Sequence, residues 1–347
     1  PVVQGLMQQV SVPGVSIAII QDFKVVATFA YGIADKATGR LVGPNTLFQA
    51  ASISKPIAAM ASLKAVQDKR FTLDQDINTI LKSWTLPGDG FTTERPVTPR
   101  TLLSHTAGLG DGFGFLGYLP GALLPTPVQI LDAVPPVPEG QKPVRLVPAP
   151  STAYQYSGGG ILIQQVALSD AVGKPFEQIA REWVFEPIGM THSTFEHPLP
   201  PALDELAARG HGPRGNRARF AWRVYAAAAA AGLWTTPTDL ARFAIEVQLS
   251  LQGRSNRVLS EAMVRELITP VGIGPWGLGF QLSLFGEGWY FMHTGSGWGY
   301  HCELVAHRLK GYGAVIMTNG DGGVPLLRQL RRLIQQEYRW DALDRPV

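Results

Sequence analysis

The chain has 347 residues, 45% of them hydrophobic and 16% charged, so it is long and apolar enough for a large globular core. Its net charge of +3 is too balanced to indicate an electrostatic nucleic-acid binder. The single cysteine excludes an internal disulfide and a zinc site built from cysteines, and no stretch approaches the about 18 apolar residues of a membrane span.

The first predicted elements are a hairpin and a helix. β-rich runs at residues 15–20 and 24–31 are separated by a short polar stretch, which predicts two paired strands. A further run at 47–54 leads into a helical pattern at 58–68. Pro56 fits the first turn of that helix because its missing N–H would have no intrahelical partner there.

A short helix is predicted at residues 99–103, and a segment with little regular structure follows it. Residues 108–150 are rich in Gly, Pro and aromatic residues, with a helical hint only near 128–133. A segment of this length and composition is usually functional. We expect its part at 111–150 to control substrate size, with a small core packed under the loop as the alternative. The apolar side chains concerned are Phe113, Phe115, Tyr118, Leu119, Leu123 and Leu124.

Helical patterns return in the second half of the chain, at residues 160–172 and 176–184. The alanine run 226–231 predicts that two backbones pack closely, and Asp239 is expected to cap a helix that reaches residue 247. The tail predicts strands at 289–294, 301–308 and 313–318 and a helix at 324–338.

Strands at both ends of the sequence and helices in its middle predict the fold class. This order favours an α/β (α+β) fold, in which one layer is built from both chain ends and a helical subdomain is inserted. We expect a single composite catalytic domain over residues 1–347. Residues of about 1–60 and 245–347 would form its α/β part, and about 61–244 a mainly helical insert.

Ser52 and Lys55 form a Ser-x-x-Lys motif where the first long helix is predicted to begin. A serine hydroxyl is a poor nucleophile until a nearby base takes its proton. Positions i and i+3 share a helix face, so Lys55 can reach the Ser52 oxygen, and the helix dipole favours negative charge there. The motif alone is weakly specific, and a simple N-cap is the alternative role for Ser52.

Two further motifs contain candidate site residues. The first is Tyr154-Gln155-Tyr156-Ser157-Gly158, in which a tyrosine near a lysine can act as general base and then as general acid. Either tyrosine can instead be a core aromatic. The second is His293-Thr294-Gly295-Ser296, where Gly295 permits close approach of a substrate. The N–H groups of Ser52 and Ser296 are predicted to form an oxyanion hole, although a strand histidine such as His293 is often structural.

In order and spacing, these three motifs resemble the serine β-lactamase-like family, which includes class C β-lactamases, D,D-peptidases, D-aminopeptidases and family VIII esterases. The resemblance spans nearly the whole chain, and further matching segments lie at residues 46–48, 101–109, 186–190 and 231–240. It implies a β-lactamase/transpeptidase-like fold, in which helices flank an antiparallel sheet and the active site lies between the α/β and helical parts.

The resemblance also implies the roles of the site residues. Ser52 is expected to be the nucleophile and Lys55 its base. Tyr156 is expected to act as base and acid, rather than Tyr154, because the small-residue helix after the motif sets its register. The remaining predicted contacts with the substrate or its oxyanion are Ser296, His293, Thr294, Gly295, Gly158 and Trp298. His105 resembles the structural histidine of the family and is expected outside the site.

Two departures from the family pattern narrow the expected activity. Gly158 stands where the family usually has asparagine, and His293 stands where β-lactamases have lysine. The missing contacts disfavour β-lactam and peptide substrates, and the histidine resembles that of esterases and D-aminopeptidases. We therefore expect a carboxylesterase-like serine hydrolase that acts on small or medium acyl esters. The alternatives are a D,D-peptidase, β-lactamase, D-aminopeptidase or acyltransferase of the same fold, and a non-catalytic binding protein.

No cofactor and no metal are expected. Residues 112–117 and 272–277 both fit Gly-x-Gly-x-x-Gly, but neither leads from a strand into a helix, so dinucleotide binding is not predicted. Both are interpreted as flexible aromatic loops near a pocket. The predicted partner is a small-molecule ester or amide substrate, without nucleic acid or a membrane span. The sequence leaves the oligomeric state open, and also the compartment, since a removed signal peptide would leave the same sequence.

Overall fold

A computed structural model describes residues 1–88, 96–110, 117–147, 154–272, 275–285 and 288–341. Its helices are α1 (Val2–Gln9), α2 (Ser54–Gln67), α3 (Pro99–Leu103), α4 (Pro127–Asp132), α5 (Gly158–Val172), α6 (Phe176–Ala180), α7 (Glu186–Ile188), α8 (Pro201–Asp204), α9 (Ala228–Ala231), α10 (Pro237–Leu251), α11 (Glu261–Leu267) and α12 (Gly323–Glu337). Its strands are β1 (Gly14–Gln21), β2 (Lys24–Asp35), β3 (Arg40–Leu41), β4 (Phe48–Ala51), β5 (Leu109–Gly110), β6 (Arg145–Leu146), β7 (Leu233–Thr235), β8 (Gln281–Phe285), β9 (Gly288–Gly297), β10 (Tyr300–His307) and β11 (Gly313–Thr318).

The described strands include a seven-stranded antiparallel sheet in the order β3-β2-β1-β11-β10-β9-β8. Its two central strands come from opposite ends of the chain, with Ile17 of β1 opposite Ile316 of β11. Hairpins extend the sheet on either side, β1–β2 towards one edge and β11–β10–β9 towards the other. The predicted antiparallel sheet built from both chain ends is therefore confirmed.

One face of this sheet is covered by α1 and α12. Leu326, Leu330 and Ile334 of α12 are buried, and their four-residue spacing places them on one side of the helix. They pack in the same cluster as Ile17 and Ile316 of the central strands. Burial of each such side chain stabilises the fold by about 1.5–3 kcal/mol, so α12 holds the strands from the two chain ends together.

Helices on the other face of the sheet position the candidate site. Most side chains of α2 are buried, and in α5 burial is continuous from Gly158 to Leu168. The alanine run 226–231, which ends in α9, is buried as well. Its small side chains allow the backbone to approach α2 closely enough for the Ala230 carbonyl to accept a hydrogen bond from Lys55 at 2.9 Å. This agrees with the predicted close packing of backbones.

Most predicted elements are observed within a few residues of the expected bounds, and α3 and β11 have the predicted bounds, whereas α1, α11 and β8 were not predicted. The predicted helical pattern at 176–184 is observed as a continuous helical segment, in which α6 passes at Arg181 into a π-helical turn, Arg181–Phe185, and then into α7. Mixed periodicities of this kind are not visible in a pattern of apolar residues.

Asp239 does not cap α10, contrary to the prediction. The cap is Thr236, whose side chain accepts the Asp239 N–H at 3.2 Å. The Asp239 carboxylate instead accepts the His192 N–H and the Ser193 hydroxyl, each at 2.8 Å. Thr and Asp are both common near helix starts, so the sequence did not distinguish the cap from a residue of the first turn.

Within the predicted size-controlling segment, Phe113 and Phe115 lie outside the described residues. Tyr118 and Leu124 are partly buried against the main core, whereas Leu123 is 78% exposed. The role of this segment and the division of the domain into α/β part and helical insert stay predictions. In the part of the chain that the structure describes, every helix is too short or too polar to cross a bilayer.

Candidate active site

Ser52 lies in the turn between β4 and α2. The residue before it, Ala51, has a φ of 45°, a left-handed conformation that is strained for a residue with a side chain and is often found at functional sites. The Ser54 side chain holds the turn, since its hydroxyl donates to the Ala51 carbonyl at 2.6 Å and accepts the Leu233 N–H at 3.0 Å. The turn therefore presents Ser52 in a fixed position.

Lys55 lies one turn further along α2 and is fully buried. Its Nζ donates to Ser52 Oγ at 3.0 Å and to the Ala230 carbonyl at 2.9 Å. The helix begins at Ser54 and its N-cap is Ile53, so the alternative role of Ser52 as a simple N-cap is wrong. A hydroxyl in direct contact with a lysine amine is the arrangement that a serine nucleophile and its base require.

The two tyrosines of the second motif have different neighbours. Lys55 Nζ lies 4.8 Å from the ring centre of Tyr156. Tyr154 is 38% exposed and stacks on Trp276, with ring centres 5.4 Å apart and ring planes within 9°. This geometry favours Tyr156 over Tyr154 as the residue that exchanges a proton with the Ser52–Lys55 pair.

The end of β9 forms the wall of the site opposite Ser52. A side chain at Gly295 would place its Cβ 2.1 Å from the Ala50 carbonyl oxygen, so only glycine allows β9 to come this close to β4. Strand β8 accompanies β9 only as far as Met292, which leaves the backbone edge of residues 293–297 open in the described structure. Strands β4 and β9 therefore approach each other where an oxyanion hole is predicted.

Backbone and side chains of this wall face different ways. The Ser52 N–H has no backbone acceptor among the described residues, as an oxyanion donor requires. His293 and Gly295 are buried on the side of the site, whereas Thr294 and Ser296 alternate with them and are exposed. The Ser296 hydroxyl contacts His301 Nδ1 at 3.0 Å, so it is the backbone of Ser296 that remains a candidate for the site.

His293 is uncharged at neutral pH. Its pKa is lowered to about 3, chiefly by burial and also by the positive charge of Lys55, while the hydrogen bond to the Thr294 carbonyl opposes the shift. That bond is donated by Nδ1 at 2.7 Å, so Nε2 carries the free lone pair, and it has no partner among the described residues. His293 therefore offers a hydrogen-bond acceptor rather than a cation.

This pKa predicts how stability depends on pH. Below about pH 6.5 the unfolded chain binds a proton at His293, whereas the folded chain does not until about pH 3, so the free energy of unfolding should fall as the pH falls between these values. We expect the free energy of unfolding to fall by about 2 kcal/mol less between pH 6.5 and 4.5 in His293→Asn than in wild type. The asparagine carboxamide can still donate to the Thr294 carbonyl. Urea unfolding at both pH values measures the difference. An unchanged pH dependence would contradict a buried neutral His293.

Gly158 and Trp298 are held by two other elements, helix α5 and the turn after β9. Gly158 begins α5 directly after Ser157, whose side chain caps the helix by accepting the Gly160 N–H at 2.9 Å. Trp298 follows β9; its N–H donates to the Tyr225 hydroxyl at 3.3 Å, and a guanidinium, that of Arg223, lies 5.5 Å from its ring. The roles of Gly158 and Trp298 in the site stay predictions.

Two aromatic residues near the site, His105 and Trp276, were not among the predicted site residues. His105, expected outside the site, has its ring 4.4 Å from that of Tyr156. Trp276 lies 5.7 Å from Tyr156 and 5.4 Å from His293, measured between ring centres. The only sequence signal at Trp276 was the Gly-x-Gly-x-x-Gly stretch, interpreted as an aromatic loop near a pocket. Within the described ranges, no cluster of three or more His, Cys, Asp or Glu residues is arranged to hold a metal ion.

Comparison with known proteins gives consistent matches. A family model described as Beta-lactamase matches residues 1–339. A beta-lactamase of Pseudomonas fluorescens is 27% identical over 247 residues, covering 71% of this chain and 63% of that protein. The esterase EstB of Burkholderia gladioli is 30% identical over 173 residues, covering 48% of this chain and 43% of that protein. The chain thus spans less than two thirds of the length of these curated relatives.

A solved structure has a similar fold. It is that of the octameric penicillin-binding protein homologue from Pyrococcus abyssi, which superposes with a TM-score of 0.79 at 22% sequence identity. The match covers 96% of this chain and 76% of that one.

Proposed function

The chain belongs to the beta-lactamase family and has the predicted β-lactamase/transpeptidase-like fold, and on this basis we propose that it is an esterase that cleaves small or medium acyl esters through an acyl-enzyme on Ser52. The observation that carries the proposal is the 3.0 Å hydrogen bond between Lys55 Nζ and Ser52 Oγ. A serine in contact with a buried lysine, next to a strained residue and a close-packed glycine strand, supports nucleophilic catalysis.

In the first half of the reaction Lys55 acts in its neutral form, so that Ser52 Oγ attacks the ester carbonyl carbon while the hydroxyl proton passes to the lone pair of Lys55 Nζ. The carbonyl oxygen becomes an oxyanion, which the N–H groups of Ser52 and Ser296 bind. As the C–O bond breaks, the alcohol leaves with a proton delivered through Tyr156, and the acyl group remains on Ser52. A water molecule then attacks the acyl carbon, gives one proton back through Tyr156 and Lys55 to Ser52 Oγ, and releases the acid.

Ester rather than β-lactam substrates are supported by two features of the site. Gly158 has no side chain to donate to the acylamino group of a β-lactam. His293, with a pKa of about 3, has no positive charge to hold a substrate carboxylate. A neutral ester needs neither contact, and the esterase among the relatives is consistent with such a substrate.

We expect kcat/KM for p-nitrophenyl butyrate to exceed that for nitrocefin by at least about 10²-fold, because the site lacks both polar contacts for the β-lactam. The two substrates are compared in one buffer with one enzyme preparation. A β-lactam can still acylate Ser52 slowly and inhibit, since the same machinery attacks any reactive carbonyl that fits. Comparable rates, or a preference for nitrocefin, would replace the esterase assignment with a β-lactamase.

The same panel distinguishes the other activities of this machinery. Cleavage of D-Ala-D-Ala peptides or D-amino-acid amides in preference to esters would indicate a D,D-peptidase or a D-aminopeptidase. Ester products formed with an added alcohol, in place of the free acid, would indicate an acyltransferase. A chain that gives neither turnover nor an adduct by intact mass with any of these compounds would be a non-catalytic binding protein.

A further inference from the structure

We propose that His105 is a positioning residue that holds the loop bearing Tyr156 over Lys55. The proposal rests on the function proposed above for Tyr156, and it assigns the fixed geometry of that tyrosine to a side chain that touches none of the reacting atoms.

His105 contacts the Tyr156 loop at three points. Its Nδ1 accepts the Ser157 N–H at 3.1 Å, and its own carbonyl accepts the Gln155 N–H at 2.8 Å. Its ring packs against that of Tyr156, with centres 4.4 Å apart and planes tilted by 36°. Gln155 and Ser157, on either side of Tyr156, are thus hydrogen-bonded to His105, and the Tyr156 ring packs on the imidazole.

The support itself is held firmly. His105 follows α3, whose start is fixed by a capping box between Thr98 and Thr101. Its φ of 60° is a left-handed conformation that histidine and asparagine adopt more readily than most residues. The next residue, Thr106, donates its N–H to the Thr101 carbonyl at 2.9 Å, which ties the turn back to the helix.

The hydrogen-bond pattern requires a neutral imidazole with its proton on Nε2. Nδ1 can accept the Ser157 N–H only while it carries no proton. Burial lowers the pKa of His105 well below its ordinary value, and Lys55 and His293 lower it further. His105 is only 2% exposed, and Trp276 meets its ring edge to face with centres 5.0 Å apart. The acceptor is therefore kept in place throughout the working pH range.

Two substitutions separate the hydrogen bond from mere packing. In His105→Asn, the carboxamide oxygen can occupy the place of Nδ1 and accept the Ser157 N–H. In His105→Gln, the carboxamide lies one bond further out and reaches the place of Nε2 instead. We expect kcat for ethyl butyrate to stay within about 5-fold of wild type in the first variant and to fall about 10-fold or more in the second, with little change in KM.

The leaving group tests whether the loss acts through Tyr156. p-Nitrophenolate departs without a proton, whereas ethoxide needs one, so a misplaced Tyr156 should lower kcat/KM, which reports the steps up to acylation, more for ethyl butyrate than for p-nitrophenyl butyrate. Active-site titration with a fluorophosphonate corrects each rate for the folded fraction. Equal losses on both substrates, equal losses in both variants, or no loss in either would overturn the positioning role.

Hydrogen exchange gives a readout that is independent of activity. The amide of Ser157 should exchange faster in His105→Gln than in wild type, and should remain protected in His105→Asn. Unchanged protection in both variants would overturn the proposal. If the wild-type chain instead has no esterase activity and Ser52 takes no label, the proposed function fails, whatever the exchange of Ser157 shows.

Discussion

Ser52→Ala is expected to abolish labelling by a fluorophosphonate and to lower ester hydrolysis by roughly 10³-fold or more, because no other group on the chain would take over the covalent step. The wild-type chain should gain the mass of one adduct, mapped to the peptide that contains Ser52. The physical reason is the contact of the Ser52 hydroxyl with Lys55 Nζ at 3.0 Å, which places a base beside this oxygen.

A buried serine within α2 provides the control. Ser62 lies two turns along α2, where its hydroxyl accepts from Gln164 at 3.3 Å within the core. Ser62→Ala should therefore keep the label on Ser52 even if its melting temperature falls. An adduct on a serine other than Ser52 would end the proposed mechanism.

Loss of Lys55 or of the Tyr156 hydroxyl should lower kcat by about 10²–10⁴-fold, since each handles a proton in the transition state. Lys55→Met keeps most of the buried volume, and Tyr156→Phe keeps the ring that packs on His105, so the fold should remain intact by circular dichroism. Steady-state kinetics with p-nitrophenyl and alkyl butyrates measure the loss, and KM should change much less than kcat.

The matched control for Tyr156 is Tyr154. Its ring stacks on Trp276 at the edge of the site, so Tyr154→Phe should change kcat by only a few-fold. An inactive Tyr154→Phe variant together with an active Tyr156→Phe variant would show that the catalytic tyrosine is Tyr154. If neither substitution matters, the proton is handled by another group and the tyrosine role fails.

The order of elements and the three site motifs were predictable from the sequence because both depend on local spacing. Ser52 and Lys55 are three residues apart, and one helical turn is enough to bring their side chains together. The strand pattern at both chain ends indicated the sheet for a similar reason, since the β-branched and apolar composition of each run is a local property.

The rest of the site depends on contacts that only tertiary packing creates. The ring of Tyr156 is flanked by His105, which follows α3, and by Trp276, which lies in the loop before β8. Both residues are far from Tyr156 along the chain. No periodicity marks such residues in advance. The spacing of two residues does not by itself choose between Tyr154 and Tyr156; the family resemblance indicated Tyr156, and its ring is the one with Lys55 Nζ 4.8 Å from its centre.

The pairing of β1 with β11 has a consequence for biosynthesis. The partner strands lie roughly 300 residues apart, so the N-terminal hairpin is made first and its central neighbour last. At about 5–20 residues per second, the inner edge of β1 waits roughly 15–60 s on the ribosome with its backbone groups unpaired. Such an edge can pair with other chains, and late long-range contacts slow folding further. We therefore expect the N-terminal hairpin to remain open to wrong pairing until β11 has been made.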